Sequence, residues 1–69
     1  MPTEIIFLVT ESAEGGYEAR ALNFPIFTQA DSFEGLKGAT RDAVRCHFEE
    51  KEHPSIIRLH YVKEEVIAA

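Results

Sequence analysis

A single cysteine, Cys46, is all the thiol chemistry the chain has. It forms no internal disulfide, and without a CxxC pair or a Cys/His cluster there is no signature of structural zinc. No basic N-terminal region followed by an apolar stretch opens the sequence, and no apolar run approaches the roughly 18 residues of a membrane span. Glycine and proline number only 4 and 3 against a hydrophobic content of 45%, a balance that excludes a disordered chain. There is no GxSxG, P-loop or GxGxxG, and Gly35 and Gly38 stand isolated. Basic residues are the minority, 7 against 12 acids for a net charge of -5. Non-specific nucleic-acid binding displaces counterions with Lys and Arg, so this balance argues against it. The expectation is a soluble protein of a reducing cytoplasm, not an enzyme, with no cofactor, no metal and no membrane partner.

Sixty-nine residues make one domain, 1–69. A chain this short buries only about 60% of the surface its unfolded form exposes, so an oligomer or a bound partner is the expected source of added stability. An acidic protein suits a basic partner, because complementary fields steer encounter. The acid is unevenly placed: residues 1–31 carry Glu4, Glu11, Glu14, Glu18 and Asp31 against Arg20 alone.

Glu4 to Glu11 is a β-branched, apolar run of strand length, expected as a central strand covered at least in part on both faces. Ala13-Glu14-Gly15-Gly16 then predicts a hairpin, since consecutive glycines tolerate positive φ. Tyr17 to Asn23 alternates, with Tyr17, Ala19 and Ala21 on one face and Glu18 and Arg20 on the other. Pro25 imposes a bend, and Phe27-Thr28-Gln29-Ala30 reads as a short third strand. Asp31 or Ser32 can cap a helix, with Glu34 three residues after Asp31 as a capping box requires. From Phe33 to about Lys51, residues Phe33, Leu36, Thr40, Ala43, Val44, His47 and Phe48 share one helical face, and His53-Pro54 closes the helix. Ile56 to Val62 is the fourth strand, and Lys63 to Ala69 frays or extends it. The fold class is α+β in the order β-β-β-α-β, a small antiparallel sheet with one helix packed on it.

Tyr17, the proline bend at Pro25, the run Thr28-Gln29-Ala30-Asp31-Ser32 and then Ala43, Val44 and Phe48 in a helix together resemble the HicB-like antitoxin family. The family pattern is a tyrosine strand, a proline turn, T-Q-G-D-T and L-E-E-A. The chain departs from it at Ile26, Ala30, Gly35 and Lys37. The resemblance implies a truncated ribonuclease-H-like fold that binds and neutralises HicA, a small basic toxin that cleaves messenger RNA. Most HicB proteins add a C-terminal DNA-binding segment. Lys63 to Ala69 leave no room for one, so operator binding is not expected.

Several residues were candidates for more specific chemistry. Asp31 and Glu34, with Glu11 or Asp42, could be relics of a two-metal site, but Asp31 and Glu34 already suit a helix cap. Lys37, Arg41 and Arg45 recur every four residues as a basic stripe, which reads either as a partner surface or as a solvated face with Arg45 paired to Asp42 and Glu49. His47 on the apolar face reads as a core histidine, and Cys46 as buried at its margin. Unpaired sheet edges are the remaining candidate, with Thr28, Gln29 and the C-terminal strand open to β-augmentation. The expected function is therefore a protein-binding module whose partner residues are Thr28, Gln29, Lys37, Arg41 and Arg45. An orphan homo-oligomer serving assembly or small-ligand binding stands second, and a residual nuclease or nucleic-acid binder third.

Overall fold

The computed structural model describes residues 4–49, 51–52, 54–63 and 65–69. Strands β1 (Glu4–Glu11), β2 (Tyr17–Ala21) and β3 (Phe27–Ala30) precede helix α1 (Phe33–His47) and strand β4 (Ile56–Tyr61). They form one sheet in the order β3-β2-β1-β4. The first three strands pair antiparallel as expected, whereas β4 joins β1 in parallel, making the sheet mixed. Parallel pairing needs a crossover, and α1 supplies it by carrying the chain from one edge of the sheet to the other.

Gly15 and Gly16 both take the positive φ that the first hairpin demands, at 98° and 86°. A Cβ on Gly16 would lie 2.7 Å from the Ala30 carbonyl oxygen, so this glycine also lets the start of β2 press on the end of β3. At the second bend the Ile26 N–H donates to the Phe24 carbonyl across Pro25, and Ile26 turns into the core.

One face of the sheet is the core. Ile5, Phe7 and Val9 of β1 and Ala19 and Ala21 of β2 lie buried beneath Leu36, Thr40 and Val44 of α1. Among the described residues no element covers the other face. Ile6 and Leu8 remain 37% and 36% exposed there, so β1 is central but covered on one face only. The one helix among the described residues is already laid on the first face, so it cannot cover the second.

The helix starts at Phe33 as expected but ends earlier than expected. Ser32, not Asp31, is the N-cap, its hydroxyl accepting from the Gly35 N–H at 3.0 Å. The third helical position is then a glycine, and Glu34 instead pairs with Lys37. At the other end α1 stops at His47, short of Lys51, because Phe48 turns extended (φ -106°, ψ 149°) and packs its ring 5.0 Å from Phe24. That aromatic contact takes precedence over another helical turn. His47, at the last turn, is exposed and stacks edge-on against Phe24 and Phe48 rather than lying in the core. Cys46 is likewise exposed. The expected stop at His53-Pro54 falls partly outside the described residues.

Candidate functional site

Two concave surfaces of opposite charge lie on either side of the sheet's inner face. Their positions follow from where the helix rests. It packs over β3 and β2, where Ala19, Ala21 and Ala30 are small enough to admit it closely. Toward β4 it leaves a groove of about 610 Å3. Val44, Pro54, Ile57 and Leu59 give this groove an apolar floor, and Lys37, Arg41 and Arg45 stand one helical turn apart along its wall.

The basic stripe is therefore a groove rim. Lys37 Nζ donates to Glu34 at 3.0 Å and sits 5.3 Å from the centre of the Phe33 ring. Arg41 and Arg45 make no ion pair among the described residues. The expected pairing of Arg45 with Asp42 and Glu49 is not formed. Since the helix ends at His47, Glu49 lies outside the i,i+4 register that the pair requires. Thr40 also lines the groove; its hydroxyl is buried and has no hydrogen-bond partner among the described residues.

The second surface is a notch of about 460 Å3 at the hairpin end, lined by Ser12, Glu14, Gly15, Tyr17, Gln29, Ala30 and Asp31. β1 ends there at Glu11, β2 begins at Tyr17 and β3 ends at Ala30. This end brings Glu14 and Asp31 together in the notch, with Glu11 and Glu18 at the same end of the sheet but on its opposite faces. β3 is the adjoining sheet edge, with Gln29 exposed and Thr28 half-buried on the inner face.

An aromatic cluster closes the inner face at the same end. The Tyr17, Phe33 and Tyr61 rings lie 5.7 to 5.8 Å apart. The Tyr61 hydroxyl donates to Glu11, tying β4 to β1. That bond is the first cause of a phenol pushed up to about 12, with burial and the Glu11 and Tyr17 neighbours adding to it. On the open face Arg58 donates to Glu4, which raises the guanidinium further above its already high ordinary value.

The candidate partner residues do not form one surface. Lys37, Arg41 and Arg45 share the β4 groove, whereas Thr28 and Gln29 lie at the opposite edge, with β2 and β1 between. Nor do the acids considered for metal binding converge. Glu11 is held by Tyr61 and Glu34 by Lys37, and no group of three His, Cys, Asp or Glu among the described residues could hold a metal ion. No helix among the described residues is long and apolar enough to cross a membrane. Sequence reading missed the groove, because it depends on where the helix settles across the sheet. The small residues of β2 are the only sequence signal for that placement.

A small α+β domain, one helix laid over part of a four-stranded mixed sheet, is the class these features define. A UPF0150 protein of Archaeoglobus fulgidus is 58% identical over 52 residues, which span 75% of this chain and 77% of that protein. A UPF0150 protein of Thermotoga maritima is 42% identical over 65 residues, spanning 94% of this chain and 91% of that protein. The chain belongs to the UPF0150 family. No family model matches it, and no solved structure does.

Proposed function

We propose that the chain is a non-catalytic protein-binding module, antitoxin-like, that acts by covering a small basic RNA-cleaving toxin of the HicA type. The observation that carries this reading is the acidic notch of Glu14 and Asp31 beside the free edge of β3. A basic partner would be steered to the carboxylates and held by backbone pairing along Thr28 and Gln29. The likeness of Tyr17 to Glu49 to the HicB pattern points the same way. Lys37, Arg41 and Arg45 have the wrong sign for this partner, and belong to another contact.

The test is neutralisation. A small basic protein that arrests growth when expressed alone should lose that effect when this chain is co-expressed, and should form a complex with it. Failure of every basic protein encoded beside it to bind or be neutralised contradicts the reading. A second reading, an orphan homo-oligomer without a toxin, is favoured by the uncovered sheet face bearing Ile6, Leu8 and Phe27. It expects self-association and no neutralised partner.

A further inference from the structure

The groove between α1 and β4 and the C-terminal segment are complementary, and neither is satisfied among the described residues of one chain. The groove offers an apolar floor at Val44, Ile57 and Leu59, with two arginines that have no ion-pair partner among the described residues. The segment beyond β4 offers Val66 and Ile67, exposed by 91% and 83%, directly after the acidic Glu65. Val66 and Ile67 are the most exposed of the large apolar side chains among the described residues.

The segment does not fold back onto its own groove. The Val62 N–H donates to the Val9 carbonyl at 2.9 Å, so the chain keeps the direction of β4 to Val62, and Val66 and Ile67 further on stay exposed rather than covered by the groove. The molecule is 50 Å long and only 20 Å and 17 Å across, and its radius of gyration is 13.3 Å. A compact chain of this length would have a radius of about 11 Å. The excess length agrees with a segment standing clear of the body.

We propose that the groove is the seat for the C-terminal segment of a second copy of this chain, with Val66 and Ile67 on its floor and Glu65 against Arg41 and Arg45. Exchange is reciprocal about a twofold axis, so each copy both gives and receives a segment and the contact closes as a dimer. Two seated segments approach the area of a lasting interface better than one, and the dimer adds stability that a 69-residue core lacks. The inference does not rest on the toxin reading, which uses the opposite edge of the sheet.

The test mixes two full-length variants, both carrying Cys46→Ser, one with Ser55→Cys at the groove and the other with Ala68→Cys in the segment. Both new thiols replace small exposed residues and leave the apolar anchors in place. Mild oxidation should give the Ser55→Cys/Ala68→Cys heterodimer as the main covalent product, well above a control pairing with Glu14→Cys. Yields no higher than the control overturn the proposal. So does a monomeric intrachain disulfide as the main product of a chain carrying both cysteines, which would place the segment in its own groove. Sedimentation provides a second measure. Val66→Asp with Ile67→Asp should weaken self-association of the full chain about tenfold or more, as expected for lost central anchors. A dimer unchanged by these substitutions, for instance one built on the open sheet face, overturns the proposal, as does a wild type that stays monomeric.

Discussion

Where β2 and β3 present Ala19, Ala21 and Ala30, helix and sheet close on one another, and Ala19, Ala21 and Leu36 are buried between them. Where β4 presents Ile57 and Leu59, the same helix stands off and these larger side chains stay half-buried along an open groove. The two halves belong to one sheet face and meet one helix. What separates them is side-chain size: small residues draw the helix to one side, and the volume it does not cover becomes a binding surface. The charge follows the same division, acidic at the hairpin end beside β3 and basic along the rim facing β4.

The sharpest way to break this comparison is to cut the same group from each half. Leu36→Ala removes a fully buried side chain under the sealed half and should cost about 2–5 kcal/mol, enough to threaten a domain of this size. Leu59→Ala in the open half should cost about 1 kcal/mol, because much of that side chain already meets solvent. Denaturant unfolding of the two variants would read the difference, and equal losses would mean that the groove is closed in solution.

Enlarging the contact that seats the helix tests the cause directly. Ala19→Leu should push α1 off β2 and destabilise by roughly 1–3 kcal/mol through overpacking. A neutral outcome would show that small residues on β2 do not set the helix position. A gain is expected from Thr40→Val. The buried hydroxyl has no partner among the described residues, so replacing it with a methyl group should stabilise the fold by about 1 kcal/mol. A loss on thermal unfolding would show that the hydroxyl is satisfied when the protein is in solution.

The smallest expected effect lies at the seam between the two halves. Tyr61 titrates at about 12 because its hydroxyl donates to Glu11. Its folded pKa lies above the ordinary value near 10, so its contribution to stability is complete below about pH 10 and is lost as pH rises through about 12. Absorbance titration should show this late step. Tyr61→Phe should abolish it, and Glu11→Gln should move it downward. A step that survives Tyr61→Phe belongs to another group.

Much of the fold was legible in the chain. The β1 boundaries, the Gly15-Gly16 hairpin, the Pro25 bend and the start of α1 all follow from local chemistry: alternation, positive φ, a fixed ring and a capping hydroxyl. The end of α1 was not legible. Helical periodicity runs on past His47, and only the packing of Phe48 on Phe24 stops it. Cys46 and His47, expected at and beside the core face, are exposed in the last turn. Each candidate partner residue occupies a surface position, yet the division into two surfaces depends on strand order. Only after β3 and β4 are known to be opposite edges do Thr28 and Gln29 part from Lys37, Arg41 and Arg45.

The most direct measurement is retention of a basic partner from native lysate by three tagged, full-length forms: wild type, Glu14→Lys with Asp31→Lys, and Arg41→Glu with Arg45→Glu. The wild type and the arginine variant should hold the same small basic protein, and the variant reversed at the hairpin notch should lose it. Loss in the arginine variant with retention in the notch variant, or no basic protein held by the wild type, would contradict the assignment of the acidic edge as the partner-binding surface.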